Sequence, residues 1–285
     1  MGYDTLQEYI EDEFYTGCVV GRFAGRIADA AFAINGVSYA LAQNEGSSIH
    51  LHGGMKGFSK QVFTVIDETV NDAAASVELY YRSLHLEEGY PGNLDVWITY
   101  RLSADNQLTI SYKALTDSDT HINLTNHSYF NLRSTDQNIL HHQLFIDADH
   151  YLQLDSNHVP TGVIKPLKDS PYSFKKQRSI YNGILELDGK GYNECYVLNN
   201  HPGVPSAFLS EATSGRSILL ETDMPSLLLY TGDYLDGKFM KNNGVCLETQ
   251  FFPDAPNHDA FPDTLLKAGE EWNSYTRLGF LWNDY

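Results

Sequence analysis

The chain has 285 residues, 42% of them hydrophobic, and sets 19 lysines and arginines against 37 aspartates and glutamates, a net charge of −18 at pH 7. That negative excess argues against phosphate-rich partners, nucleic acid and anionic membrane alike, and leaves a neutral ligand easier to accept. No apolar run approaches the roughly 18 residues of a membrane span, and the first residues have neither a basic nor an apolar leader region, so a cytoplasmic location is expected.

Residues 5–13 carry a short helical pattern. Gly21-Arg22-Phe23-Ala24-Gly25-Arg26-Ile27 then places two arginines four apart in a glycine-relaxed loop, which lacks the Gly-Lys-Ser/Thr ending of a phosphate loop. Asn35-Gly36, set between the apolar runs 31–34 and 37–41, predicts a two-residue hairpin, because a type I′ turn needs two residues tolerant of positive φ. In Ile49-His50-Leu51-His52-Gly53-Gly54 two imidazoles share one face of a strand. No third ligand of recognisable spacing accompanies them, so no metal is expected; the glycine pair indicates instead that the backbone approaches something closely.

Residues 76–84, 94–102 and 108–115 are rich in Val, Ile, Tyr, Trp and Thr, and read as an antiparallel meander. Further strand-like runs lie at 143–146, 195–198, 206–211, 217–221, 226–231, 245–249 and 274–280, with a second short helical pattern at 179–185. A period of two dominates, with no internal repeat, low-complexity tract or linker. The fold class is therefore all-β, mostly antiparallel, with very little helix, in a single domain over 1–285 whose sheets pack face to face. Cys18, Cys195 and Cys246 are odd in number and free of any CxxC spacing, which indicates buried thiols.

Two polar islands stand out. Leu124-Thr125-Asn126-His127-Ser128-Tyr129-Phe130-Asn131-Leu132 sets one imidazole among amides and hydroxyls inside a strand-like run. A lone histidine is commonly a core residue with both nitrogens satisfied by backbone, but Asn123, Asn126, Ser128 and Asn131 are too many hydrogen-bonding groups for an ordinary core strand. Two sequons, at Asn123 and Asn126, fall inside this run, where a glycan would block access, and are discounted. Glu248 follows the apolar run Gly244-Val245-Cys246-Leu247 and precedes two phenylalanines. It is either a surface residue at a strand end or a carboxylate in a partly apolar pocket. His127 and Glu248 together supply a candidate acid and a candidate base.

Gly21-Arg22-Phe23-Ala24-Gly25-Arg26-Ile27, Leu51-His52-Gly53-Gly54 with Lys56-Gly57-Phe58, Asn126 to Leu132, Tyr230 to Gly237, and Glu248-Thr249-Gln250-Phe251-Phe252-Pro253-Asp254-Ala255-Pro256-Asn257-His258 occur in an order and spacing that resembles the aldose 1-epimerase (galactose mutarotase) family over nearly the whole chain. The resemblance implies a large mutarotase-type β-sandwich and a cofactor-free reaction on an aldohexose or related monosaccharide. It places the general acid at His127, the general base at Glu248, and sugar binding at Arg26 and His52. That assignment expects ionised Glu248 beside protonated His127, opposite charges that sustain one another.

Three departures from the family pattern qualify it. Asn193 and Glu194 stand where the family presents aspartate, often followed by histidine, and Leu228 stands where it usually carries glutamine. Two polar contacts to the sugar are thereby missing, so Asn193 and Leu228 are expected to alter substrate preference. The family's opening strands are apparently absent, which would leave a sheet edge to be covered, and a homodimer is expected. Two rivals accompany the enzyme reading: a non-catalytic carbohydrate-binding module on the same fold, and a glycoside hydrolase with Glu194 as second carboxylate.

Overall fold

The computed structural model describes residues 1–134 and 136–282. Two antiparallel sheets carry the chain. The larger has nine strands in the order Arg178–Ser179, Gln143–Ile146, Ala207–Ser210, Arg216–Thr222, Glu271–Trp282, Gln107–Thr116, Leu94–Ser103, Ala74–Ser83 and Thr64–Val70. The smaller has six, in the order Tyr129–Phe130, Val245–Gln250, Ser226–Tyr230, Asn193–Leu198, Ala148–Leu154 and Pro160–Pro166. Among the described residues α-helix is confined to Leu6–Glu11, capped by a reciprocal Thr5–Glu8 box, and Ile180–Glu186.

The sheets bury one face each against the other. Leu144, Ile146, Leu209, Ile218, Leu220 and Leu278 from the large sheet meet Tyr196, Leu227, Leu229, Val245 and Leu247 from the small one in a single apolar cluster. Burying each aliphatic side chain there contributes about 1.5–3 kcal/mol. Because successive side chains alternate across a strand, the residues between these point to the opposite face. Leu228, Tyr230 and Cys246 form a separate buried cluster with Tyr129, Leu235 and Phe239. All of Ser226–Tyr230 and Val245–Gln250 is consequently buried, one face in the sandwich core and the other in the site described below.

The N-terminal segment closes over that second face. Met1, Tyr3 and Phe14 pack on the Tyr129–Phe239 cluster, the Met1 amino group donates to the Tyr129 carbonyl at 2.7 Å, and Tyr129 Oη donates to the Phe14 carbonyl at 2.9 Å. The exposed ion pairs from Lys238 to Asp4 and Glu8 add little beyond register.

Most predicted strands lie where the sequence pattern puts them, 143–146 to the residue. The hairpin is present: Ala31–Ile34 pairs with Val37–Ala40, and Asn35 and Gly36 both have positive φ, 52° and 80°. Three strands carry no clear pattern. Pro160–Pro166 is bounded by prolines, which an edge strand tolerates, and Thr64–Val70 is an exposed edge rich in polar residues. Ala148–Leu154 is interrupted by a bulge that breaks its alternation. No described helix is long and apolar enough to cross a membrane.

Candidate active site

His127 occupies the break between two short strands. Thr125–Asn126 pairs with Val19–Val20, and Tyr129–Phe130 pairs with the edge of Val245–Gln250. The His127 backbone is fixed in between: its amide donates to the Cys18 carbonyl at 2.9 Å, and its carbonyl accepts from the Gly17 amide at 3.1 Å. The asparagines around it serve this scaffold. Asn123 is fully buried, donating to the Ala24 and Phe251 carbonyls and accepting from the Phe251 amide. Asn126 Oδ1 accepts from Ser128, and Asn131 ties residues 137 and 243. The polar density of the segment therefore has two causes, one imidazole directed into a cavity and several amides that hold its loop.

Glu248 lies on Val245–Gln250, directly opposite Leu228 of the neighbouring strand and on the face away from the core. Of the two sequence readings, the pocket carboxylate is the one realised: Glu248 is 1% exposed. Its Oε1 is 3.5 Å from His127 Nε2, and its Oε2 has no hydrogen-bond partner among the described residues.

One short strand pair delivers two more residues. Arg26–Ile27 pairs with His50–Leu51, and the chain then turns sharply through His52, whose φ is 52°. The turn needs Gly53, since a Cβ there would lie 1.8 Å from the Gly21 carbonyl oxygen; this is the close approach that the glycine pair foretold. His50 and His52 part at this turn. His50 stays buried, with Nδ1 2.7 Å from the Ala42 carbonyl and Nε2 2.8 Å from Tyr90 Oη, so it is a core histidine. His52 joins His127, ring centroids 5.4 Å apart. Its Nδ1 accepts from the Gly25 amide at 3.2 Å, which leaves its proton on Nε2.

Arg26, His52, His127, Asn193, Leu228 and Glu248 all line one cavity of about 370 Å³, small within the usual range for ligand sites. All six candidates are thus brought together from six separate stretches of chain. Tyr230, first residue of the 230–237 motif, lines it too, as do Tyr15 and Glu45, which no sequence motif singled out. Tyr15 adopts φ 57°, uncommon for an aromatic residue, and sets its ring 4.7 Å from that of His52. Glu194 belongs to the adjoining cavity with Asp233 and Lys241, so it supplies no second carboxylate beside Glu248. Asn193 and Leu228, on neighbouring strands, form part of the wall.

Burial governs the electrostatics. It pushes the Glu248 carboxyl up to about 8, against the pull of the Arg26 charge, and pushes His127 down to about 4, against a backbone hydrogen bond and Asp12. His52 is driven well below its ordinary value by burial and then by His127 and Arg26. The expected pairing of ionised Glu248 with protonated His127 belongs to the productive state; in the sugar-free site burial works against both charges. Desolvation disfavours the charged form of each partner, which in the empty pair favours the proton on Glu248.

Donor atoms of His52, His127 and Glu248 all lie within 4.8 Å of one another. With its Nδ1 lone pair committed to Gly25 and its proton on Nε2, however, His52 has no lone pair to give. The triad as held offers two ligands, short of the three that catalytic zinc takes from protein.

The family model for aldose 1-epimerase matches residues 1–279. Galactose mutarotase from Sus scrofa is 37% identical over 290 residues, covering 98% of this chain and 83% of its own. Aldose 1-epimerase from Haemophilus influenzae is 34% identical over 300 residues, covering 97% and 86%. Among solved structures, a GalM/aldose epimerase homologue from C. elegans superposes with a TM-score of 0.91 at 27% identity, covering 99% of this chain and 87% of that one. Galactose 1-epimerase from Lactobacillus acidophilus shares the fold, with a TM-score of 0.89 at 24% identity over 100% and 85%. A match across nearly the whole sequence, with the same sandwich beneath it, places this chain in the aldose 1-epimerase family.

Proposed function

We propose that this protein interconverts the α and β anomers of an aldohexose or related neutral monosaccharide by acid–base ring opening, with Glu248 and His127 as the proton-transfer pair. The observation that carries the reading is their 3.5 Å approach inside a buried cavity large enough for a sugar ring. Relatives named galactose mutarotase and aldose 1-epimerase support the substrate class.

The chemistry follows from the residue types. Glu248 removes the proton of the C1 hydroxyl while His127 gives one to the ring oxygen; the ring opens, C1 turns about the C1–C2 bond, and reclosure gives the other anomer with the two roles exchanged. The pair needs one proton between its members, and the empty site holds one, on Glu248. Transfer of that proton to His127 arms the pair, and sugar hydroxyls reaching the unpartnered Oε2 stabilise the carboxylate so formed. His52 Nε2–H and Arg26 are placed to donate to sugar oxygens that gain negative charge.

NMR exchange spectroscopy across aldoses and sugar phosphates tests the proposal, and absence of catalysed exchange on every sugar that binds would leave the binding-module reading. A homodimer is part of the same proposal. The edge strand Thr64–Val70 is exposed along its length, with Val65, Ile66 and Val70 uncovered, and light scattering at high micromolar concentration tests it.

A further inference from the structure

We infer that Glu45 is a substrate-contacting specificity residue that reserves this cavity for uncharged sugars and turns away sugars bearing a carboxylate. The inference rests on the anomer-exchange reading of the same site. Among the described residues Arg26 is the only arginine or lysine lining the cavity, and it is already committed: Nε donates to Glu45 Oε2 at 2.6 Å and an Nη donates to Glu45 Oε1 at 2.7 Å. This two-point arrangement is the geometry in which a guanidinium would otherwise grip the carboxylate of a uronic acid. With Glu45 in place, an incoming carboxylate finds the matching edge of the guanidinium occupied. It also meets Glu13 and Glu45 around the same space.

An uncharged hydroxyl has no such conflict. It accepts from the remaining Nη of Arg26 and donates to a spare lone pair of Glu45, so one neutral group satisfies both members of the pair. Glu45 is held in position rather than free to swing out. The preceding Asn44 brackets Leu51, donating to its carbonyl at 2.9 Å and accepting from its amide at 2.7 Å, and the Glu45 amide donates to the Ile49 carbonyl at 3.2 Å. The loop that carries Glu45 is thereby tied to the strand that leads into His52, and Arg26 lies opposite Leu51 in the paired strand.

The test measures anomer exchange of D-galactose and D-galacturonate by wild type and Glu45→Gln, with thermal unfolding to confirm that the variant folds. Wild type should favour the neutral sugar by about a hundredfold or more in kcat/KM. Glu45→Gln should raise the uronate-to-aldose ratio by roughly ten- to a hundredfold, the equivalent of one or two charge-assisted hydrogen bonds, chiefly through KM. Equal handling of both sugars by wild type, or a ratio unchanged in a folded Glu45→Gln, overturns the inference. If wild type exchanges neither sugar, the activity reading fails separately, and the same ratio is read from dissociation constants by calorimetry. There the expected shift toward the uronate in Glu45→Gln still decides the role of Glu45.

Discussion

His127 Nδ1 lies 3.5 Å from the thiol of Cys246, two residues before Glu248 on the same strand. A single strand thus carries both the proposed base and the group that steadies the proposed acid. The His127 ring is walled by the rings of Tyr129, His52 and Tyr15, at 5.1, 5.4 and 5.8 Å. Only its Nε2 edge faces a proton-transfer partner. Cys246→Ala removes the thiol contact to Nδ1 and lets the ring change tautomer. A neutral hydrogen bond contributes about 0.5–1.5 kcal/mol, so kcat should fall roughly two- to tenfold with KM unchanged. A loss confined to KM would show that the thiol shapes the cavity and does not hold the acid.

Glu248→Gln and His127→Ala each remove one proton-transfer group and should lower anomer exchange by about 10²- to 10⁴-fold, with the fold intact by circular dichroism. Near wild-type turnover by either variant would dismiss that residue from the chemistry.

Glu248 also carries a stability signature. Its folded pKa, raised to about 8 from 4.5, means that the native state binds more protons than the unfolded state between those values, so its contribution to stability declines as pH rises through that window. Glu248→Gln abolishes this penalty. The variant should unfold at a higher temperature than wild type, by little at pH 5 and by most at pH 9. A constant difference across that range would mean that the carboxyl is not held protonated by burial.

Activity should follow the proton inventory of the pair. Between about pH 4 and pH 8 His127 and Glu248 share one proton, and kcat/KM should fall on either side of that plateau. Burial exchanges the usual ownership of the limbs, giving the acidic limb to the imidazole and the alkaline limb to the carboxyl. Ring-nitrogen NMR of His127 in the sugar-free protein should report a neutral imidazole at pH 6. An imidazolium there would restore the charge-separated resting state.

The sequence was most legible where one periodicity served one purpose. Leu227, Leu229, Val245 and Leu247 advertise a strand because alternate positions fill the core, and His52 and Glu248 stand out because each sits in a short motif. Glu45 and Tyr15 were illegible because their importance lies in what folding brings beside them. Glu45 is 19 residues from the arginine it grips, and Tyr15 enters the cavity through a left-handed turn without glycine at that position. The proton balance of the empty pair was illegible for a related reason: adjacency of opposite charges can be expected from motifs, whereas the 1% exposure of Glu248 is a property of the packed sandwich. Spacing alone made His50 and His52 equivalent, and a single positive φ at His52 is where the chain turns between them and the cavity.

Leu228 is where a change of substrate should be read most clearly. It faces Glu248 directly across the strand pair and Cys195 on its other side, so its isobutyl group presents apolar surface beside the proposed base. Asn193 lines the same cavity one strand away, opposite Tyr230. If the sugar is contacted at these two positions by the carboxylate and amide that the family resemblance implies, this wall would forgo one charged and one neutral hydrogen bond, about 2–4.5 kcal/mol together. Wild type should therefore handle galactose and glucose with raised KM and favour a sugar that sets a methyl group, or a carbon lacking its hydroxyl, against Leu228. The double change Asn193→Asp with Leu228→Gln should lower the galactose KM by at least tenfold and help the native sugar less. A sub-millimolar galactose KM in wild type, or one that the double change leaves untouched, would show that these two positions do not set the preference.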